Sequence, residues 1–267
     1  MALDGTSNLS RLLDQGDVPP LFEQNSAGIS PFLFTCDHYG RLIPQKLGDL
    51  GLPADELIRH IAWDIGIAGV AETLSNHLDA RLIAQRYSRL VIDCNRPLTA
   101  AGSIPRLSEA TMIPGNEALS REAAEIRRRE IFDPYHQRIR EVIDQRLAER
   151  KPTVLVALHS FTPVYAGVAR PWHIGTLYHH DTTLPPLLLK ALRAEADLVV
   201  GDNEPYAVSD ETDYTIPQHG ETRGLISTGI EIRQDLIGDG VGQQQWAERL
   251  ARILGEIEVV LRREGKI

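Results

Sequence analysis

The most constraining feature of this sequence is a set of short apolar runs, each ending at polar side chains that can perform chemistry. The clearest run is 153–158 (TVLVAL), which is short and rich in branched residues and so predicts a buried strand. His159 and Ser160 follow it directly. Three other runs end in a similar way: 31–36 leads into Asp37 and His38, 90–94 leads into Asn95 and Arg96, and 225–232 carries Glu231 at its end, before Arg233.

Segments with helical periodicity alternate with these runs, which decides the fold class. Apolar strands that alternate with amphipathic helices predict an α/β fold, with a mostly parallel mixed sheet and helices on both faces. We expect one domain over 1–267, in which the polar residues 1–25 form an N-terminal lead-in. The predicted helices are 54–78, 117–150 with a break or kink at Pro134, 184–193 and 241–263. The remaining predicted strands are 81–84, 173–178 and 197–200.

The net charge of −9 argues against binding to nucleic acid or to an anionic membrane surface. No run of about 18 apolar residues occurs, so no membrane-spanning helix is expected. The two cysteines, Cys36 and Cys94, lie inside apolar runs, and the N-terminus lacks the pattern of a signal peptide. These features together predict a cytoplasmic protein, but they do not set its oligomeric state.

The residues that end the strands suggest a metal site, because in parallel sheets functional groups collect beyond the carboxyl ends of the strands. His38 and His159 are the predicted zinc ligands, although each could instead be a histidine hydrogen-bonded at a strand end. Catalytic zinc usually takes three protein ligands. Asp64 is the predicted third ligand, on the apolar stripe of the helix expected at 54–78. His60, four residues earlier, is the alternative ligand, or else a partner that pairs with Asp64.

Glu231 is the predicted general base. Alternation along 225–232 places Glu231 and Arg233 on the same face of the strand, where they could also form a simple salt bridge. Asn95 and Arg96 are predicted to bind a substrate carboxylate, since a guanidinium matches a carboxylate with two parallel hydrogen bonds. Arg96 could alternatively cap a helix or pair with Asp93.

Several segments of the chain, in order, resemble the N-formylglutamate amidohydrolase family. The resemblance implies hydrolysis of N-formylglutamate to formate and glutamate, a late step of histidine breakdown in bacteria. It also implies a phosphorylase/hydrolase-like fold, similar to that of zinc carboxypeptidases and aspartoacylase-like deacylases. The segments are HIAWDIG (60–66), YSRLVIDCNRP (87–97), IPGN (113–116), HSFTPVY (159–165), RPWHIG (170–175), GDNEPY (201–206) and EIRQDLI (231–237).

The wider resemblance to these peptidases implies roles for individual residues. His159, in HSF, resembles their third zinc ligand, the pair Asn95 and Arg96 resembles their carboxylate-binding pair, and Glu231 matches their catalytic glutamate. One position departs from the pattern. The peptidases place a glutamate ligand three residues after the first histidine, and this chain has Arg41 there, which cannot bind zinc. The second ligand must therefore come from elsewhere, and Arg41, Arg170 and Arg233 become candidate anchors for substrate carboxylates.

Two other functions fit the same residues. One is a zinc-dependent deacylase that acts on another N-acyl amino acid or a small peptide. The other is a metal-free protein that binds small anions through Arg41, Arg96 and Arg233. The second predicts no tightly bound metal, so metal content separates it from the two hydrolases.

Overall fold

The computed structural model describes residues 11–267, so the first ten residues of the predicted lead-in lie outside the described residues. Within this part of the chain, eleven strands follow one another in sequence. They are β1 (Leu21–Gln24), β2 (Phe32–Cys36), β3 (Arg81–Gln85), β4 (Leu107–Ser108), β5 (Thr111–Met112), β6 (Val154–Phe161), β7 (Val164–Tyr165), β8 (Val168–Ala169), β9 (Ile174–Leu177), β10 (Val200–Asp202) and β11 (Ile226–Arg233).

Five α-helices occur in the same part of the chain. They are α1 (Ile67–Leu78), α2 (Arg121–Arg127), α3 (Asp133–Ala148), α4 (Leu184–Arg193) and α5 (Gly240–Arg263). A wider, π-type turn at Arg128–Phe132 separates α2 from α3, and Pro134 lies in the first turn of α3. The helix therefore changes type just before Pro134 rather than breaking there, since Arg128, Phe132 and Asp133 keep helical backbone angles. Proline is tolerated in the first turn of α3, where its missing N–H is less costly.

Seven strands form one mixed sheet in the order β1-β3-β2-β6-β11-β9-β10. The central strands β3, β2, β6 and β11 are parallel to one another. On one side β1 runs antiparallel to β3, and on the other β9 runs antiparallel to β11, with β10 parallel to β9. The carboxyl ends of β2, β6 and β11 therefore meet at one edge of the sheet, while β9 ends at the opposite edge.

Helices cover both faces of this sheet, as predicted. On one face α1, α4 and α5 pack against alternate strand residues such as Phe32, Phe34 and Ile230. On the other face α3 packs against the intervening residues, among them Leu33 and Leu155. Strands that are covered on both sides are apolar along their whole length, which is why they read as continuous apolar runs in the sequence.

The predicted helix at 54–78 is wrong in its first half. A short 3₁₀ turn at Glu56–Ile58 is followed by an irregular segment, and the α-helix begins only at Ile67. Gly66 lies between them with φ of 81°, where a Cβ atom would meet the carbonyl oxygen of Ile237 at 2.0 Å. A left-handed residue cannot continue an α-helix. Asp64 therefore lies in a loop, and its N–H donates to the carbonyl oxygen of His38.

The predicted strand at 90–94 is also wrong, although all five residues are buried. Their backbone groups bond to turns and loops; for example, the N–H of Asp93 donates to the carbonyl oxygen of Ser103. The outer side of β3, where such a strand would add, is taken by β1. The predicted strand at 197–200 forms slightly later, at Val200–Asp202, and the other predicted strands and helices are confirmed. None of the helices between residues 11 and 267 is both long and apolar enough to cross a membrane.

Candidate active site

Three adjacent parallel strands bring the predicted site residues to one edge of the sheet. His38 lies two residues beyond the end of β2, and His159 and Glu231 lie near the ends of β6 and β11. The loop before α1 carries Asp64 to the same place, where its backbone is tied to His38. All four side chains are buried, with between 3% and 7% of each residue exposed.

His38, Asp64 and His159 form a compact cluster. Nδ1 of His159 lies 2.9 Å from Oδ2 of Asp64, and Nδ1 of His38 lies 3.3 Å from the same oxygen. The three potential ligand atoms lie within 4.8 Å of one another. Both imidazoles therefore direct Nδ1 toward one shared point beside the carboxylate of Asp64.

A separate buried carboxylate contacts the outer nitrogen of each histidine. Nε2 of His38 lies 2.7 Å from Oδ1 of Asp93, and Nε2 of His159 lies 3.2 Å from Oδ2 of Asp37. A carboxylate in this position favours a proton on Nε2 and leaves Nδ1 free to accept. Asp37 is held in turn by the hydroxyl of Thr215, which donates at 2.7 Å.

The pKa shifts show how strongly these groups depend on one another. Burial opposes the charge on Asp37, but contact with His159 and His38 outweighs it and lowers the pKa of Asp37 to about 2. Burial likewise opposes the charge on Asp93, yet the neighbouring Arg89 and His38 hold the pKa of Asp93 well below its usual value. The two outer carboxylates are therefore negatively charged at neutral pH.

Glu231 differs from these carboxylates. Burial raises its pKa to about 7, and although the charge of His159 opposes the shift, the negative charge of Asp64 adds to it. Among the described residues, its Oε2 atom is buried without a hydrogen-bond partner. A carboxyl group with a pKa near neutrality and a free oxygen in a cavity can both accept and return a proton.

The cluster fits a small metal ion with nitrogen and oxygen ligands. Two imidazoles and one carboxylate are a common donor set for catalytic zinc, which keeps a further position open for water or substrate. The outer nitrogen of each imidazole lies close to a carboxylate, as is usual for histidines that bind metal. For His38 this contact is a hydrogen bond, and for His159 it is a close ion pair. His38, Asp64 and His159 are therefore the residues in this site that could hold such an ion.

Comparisons with known proteins bear on the family of this chain. The family model described as N-formylglutamate amidohydrolase matches residues 30–238. The chain belongs to this amidohydrolase family. The crystal structure of gene product Atu2144 from Agrobacterium tumefaciens is 37% identical, with a TM-score of 0.91, and the match covers 94% of this chain and 100% of that one.

A second solved structure is similar at lower identity. It is the N-formylglutamate amidohydrolase from Ralstonia eutropha JMP134, which is 20% identical with a TM-score of 0.67. The match covers 92% of this chain and 100% of that one, and at this identity it shows a shared fold. No curated protein matches the chain.

The four clustered residues of this N-formylglutamate amidohydrolase family member line a cavity of about 400 Å³. Arg89, Asn95 and Arg96 line it as well, and its size is typical of a site for a small molecule. A larger hollow of about 760 Å³ lies between residues 98–107 and α2, but none of the predicted site residues lines it. The predicted site residues that lie together therefore share the smaller cavity.

Arg170 does not itself line this cavity but packs behind two aromatic rings that do. Its guanidinium carbon is 4.6 Å from the ring centre of Tyr165 and 4.7 Å from that of Tyr206, and both tyrosines line the cavity. Within the described part of the chain its buried Nη1 atom has no hydrogen-bond partner. The guanidinium of Arg170 thus makes cation–π contacts with two tyrosine rings, and its Nη1 group is left to donate a hydrogen bond to an anion.

Asn95 and Arg96 lie on the cavity wall and bind the loop opposite. The side-chain oxygen of Asn95 accepts from the N–H groups of Tyr214 and Thr215 at 3.1 Å, and its nitrogen donates to Asp213. Arg96 donates to the carbonyl oxygen of Thr212 and lies 3.8 Å from Asp213. The ion pair of Arg96 is thus with Asp213, while Asp93 pairs with Arg89.

The remaining predicted residues lie apart from the cluster. Arg41 is exposed, rests on the ring of Trp63 and does not line the cavity. Arg233 pairs with Asp235 rather than with Glu231 and donates to the backbone carbonyl oxygens of residues 170–172. His60 lines the cavity, but its Nε2 atom lies 3.5 Å from Glu109 instead of contacting Asp64.

Sequence reasoning missed three charged residues of the site. They are Asp37 and Asp93, which contact the outer nitrogens of the histidines, and Arg89, which lies 2.7 Å from Asp93 and 3.6 Å from Asp64. A signal was present for the two aspartates, because each lies in an otherwise apolar buried run and a buried carboxylate needs a partner.

Proposed function

We propose that this protein is a zinc-dependent amidohydrolase that cleaves N-formyl-L-glutamate to formate and L-glutamate. The observation that carries the proposal is the cluster of His38, Asp64 and His159 beside Glu231 in one cavity. Membership of an amidohydrolase family supports hydrolysis of an amide bond. The name of the Ralstonia eutropha structure supports the choice of substrate.

In the proposed mechanism His38 and His159, through Nδ1, and Asp64, through its carboxylate, would hold the metal. Zinc held there would supply a Lewis acid, which lowers the pKa of a bound water to about 7 and polarises a carbonyl oxygen. Asp93 and Asp37 favour the tautomer in which Nε2 carries the proton and Nδ1 does not.

Glu231 moves the protons of the reaction. Its Oε2 atom takes a proton from the water that attacks the formyl carbon, and the water oxygen then forms the new bond to that carbon. The carboxyl group returns the proton to the amide nitrogen as the carbon–nitrogen bond breaks, so that formate and glutamate leave. The free oxygen and the pKa of about 7 suit a group that first accepts and later donates.

Arg170 and Arg96 bind the two carboxylates of the substrate in this proposal. Arg170 is the stronger candidate, because the described residues leave its Nη1 atom without a partner, whereas Arg96 already shares Asp213. The contacts of Arg233 and the position of Arg41 weigh against the metal-free anion-binding alternative, which relies on both. We further propose a cytoplasmic role in histidine breakdown, which the free, buried Cys36 and Cys94 suit.

The test is the release of formate from N-formyl-L-glutamate by zinc-loaded protein, with the zinc content of the same sample measured. We expect about one zinc ion in the cluster and turnover that a chelator abolishes and added zinc restores. N-acetyl- and N-succinyl-L-glutamate serve as competing substrates. Faster turnover of either would identify a different deacylase, and the absence of both zinc and turnover would overturn the proposal.

A further inference from the structure

A second cluster of side chains that could hold a metal ion lies at the opposite end of the sheet's parallel strands. His179 and His180 follow β9, which runs antiparallel to β11, so they lie near the start of β11 rather than near its catalytic end. Glu221 joins them from the turn before β11, and their ligand atoms lie within 4.8 Å of one another. Leu177 pairs with Gly229 on β11, two residues before Glu231.

Glu221 gives this cluster an unusual feature. Its side chain is only 8% exposed, yet its Oε2 atom is buried without a hydrogen-bond partner among the described residues. That oxygen lies 3.8 Å from Nδ1 of His179. A buried carboxylate oxygen left without a donor is unfavourable unless a cation or a proton accompanies it.

The backbone holds the cluster in place. The N–H of His180 donates to Oε1 of Glu221 at 2.6 Å, which leaves Oε2 directed at the imidazoles. The next residue, Asp181, accepts from the N–H of Thr183 and from the N–H of Ser227 at the start of β11. The rings of His179 and His180 are stacked, with centroids 3.6 Å apart. The carboxylate of Glu221 is therefore held in place before any ligand binds, whereas the stacked imidazoles must turn before both can bind one ion.

We propose that His179, His180 and Glu221 form a second, structural site for a divalent transition-metal cation, of which zinc is the representative. Neighbouring ligands of a tetrahedral zinc ion lie about 3.3 Å apart, as follows from bond lengths near 2.0 Å. The separation of 3.8 Å between His179 and Glu221 needs only a small side-chain movement to reach this value. Two imidazoles with one carboxylate favour zinc over calcium or magnesium, which prefer oxygen ligands alone.

The bound cation links the segment after β9 to the turn before β11. Both strands contribute to the catalytic cavity, through Leu177 and Gly229. The ion therefore stabilises the positions of β9 and β11, which form one wall of that cavity, without contacting the proposed catalytic residues. We expect zinc to raise the unfolding temperature through this site, because a ligand that binds only the folded state stabilises it.

The experiment measures zinc bound per chain and zinc affinity in the full-length protein, by equilibrium dialysis and elemental analysis. The wild type should bind two ions, and His179→Ala and Glu221→Gln should each bind one. Loss of a ligand should weaken this site by at least the 10- to 100-fold that is typical for loss of a supporting residue. Gln keeps the oxygen that accepts from His180 while removing the charge. His77→Ala removes an exposed histidine elsewhere and should still bind two.

The number of zinc ions bound by each variant distinguishes the second site from the proposed catalytic site. If only the catalytic site exists, His179→Ala and Glu221→Gln bind as much zinc as the wild type, and the second site is overturned. If only the second site exists, the wild type binds one ion and the His179→Ala variant binds none. Both variants should retain turnover when zinc is saturating, since neither residue lies in the catalytic cavity.

Discussion

Glu231 on β11 lies directly beside His159 on β6, because the two are register partners in adjacent parallel strands. Partners in register direct their side chains to the same face of a sheet. The carboxylate and the imidazole therefore enter the same cavity from rigid strands rather than from loops. This relationship places a carboxyl group with a pKa of about 7 next to a proposed metal ligand.

Replacement of Glu231 by Gln should lower turnover by at least about 100- to 10,000-fold, the usual contribution of a general acid–base group. Glutamine has nearly the same shape but cannot take a proton. Zinc content should remain unchanged, because Glu231 is not among the proposed ligands. Glu248→Gln, on the exposed side of α5, is the matched control and should behave as wild type. Near-normal formate release by Glu231→Gln would contradict the assignment.

Asp93→Asn should weaken zinc binding roughly 10- to 100-fold, because it removes the charged partner of Nε2 of His38. Zinc affinity can be measured by competition with a chelator of known strength. Asp213→Asn alters a carboxylate on the same cavity wall that contacts Asn95 and neither histidine, so zinc affinity should stay unchanged. Equal affinity in both variants would show that the contact does not orient His38.

Arg170→Ala should reduce kcat/KM for N-formyl-L-glutamate about 10- to 100-fold, mainly through KM, since a hydrogen bond to a charged group contributes about 1.5–3 kcal/mol. N-formyl-L-glutamine has an uncharged side chain, so comparing it with N-formyl-L-glutamate shows which of the two substrate carboxylates Arg170 binds. If Arg170 binds the side-chain carboxylate, the wild type should prefer the glutamate compound and the variant should lose that preference. Arg41→Ala, outside the cavity, should leave both rates unchanged. An unaltered preference in Arg170→Ala would assign this contact to another residue.

The buried pair of His136 and His219 should make stability depend on pH. Nδ1 of His136 lies 2.9 Å from Nε2 of His219, and Nε2 of His136 lies 2.8 Å from the carbonyl oxygen of Cys94. Burial lowers the pKa of His136 to about 4 and, with the charges of His136 and Arg140 adding to it, that of His219 to about 3. Asp37 opposes both shifts.

Both histidines are therefore neutral in the folded state, whereas in the unfolded chain they protonate near pH 6.5. The unfolded state binds more protons below that pH, so stability should fall as pH drops from about 6.5 toward 4, by at most about 1.4 kcal/mol per pH unit for each histidine. Urea unfolding at several pH values measures this slope. His219→Gln should reduce it relative to wild type, and parallel curves for the two proteins would refute the prediction.

Gly66→Ala should destabilise the protein by more than about 1 kcal/mol, because it adds a Cβ atom 2.0 Å from the carbonyl oxygen of Ile237 at a residue with φ of 81°. Gly255→Ala is the matched control. Gly255 lies in α5, where an added Cβ meets nothing within 4 Å, so alanine should stabilise the helix by roughly 0.5–1 kcal/mol. Urea unfolding of both variants gives the comparison, and equal effects would contradict the argument.

The central strands could be predicted from the sequence because their burial on both faces leaves an unmistakable pattern. Runs such as 31–36 and 153–158 are apolar throughout, and each ends near a residue of the proposed site. The same pattern misled at 90–94, which is equally apolar and equally buried but makes no strand. Burial selects apolar side chains whatever the backbone does, so an apolar run alone does not distinguish a strand from a buried loop.

Asp64 was selected from the sequence on a premise that the structure overturns. The prediction placed it on the stripe of a helix, whereas it lies in the loop before α1, tied to the backbone of His38. The selection still led to the cluster, because a carboxylate among apolar neighbours requires a partner in either setting. The sequence could not reveal that Gly66 adopts a left-handed conformation, since this depends on its contact with Ile237, far along the chain.

The sequence by itself determined the central strands, most of the helices, and the residue types that a metal-assisted hydrolysis needs, because burial and periodicity are local properties of a chain. Only the tertiary structure decided which of these side chains meet. It places Asp93 and Asp37 against the two histidines. It also leaves a donor of Arg170 without a partner and puts Arg41 outside the cavity. Such pairings join residues that are distant in sequence, so they arise from the packing of strands and loops and leave no local pattern.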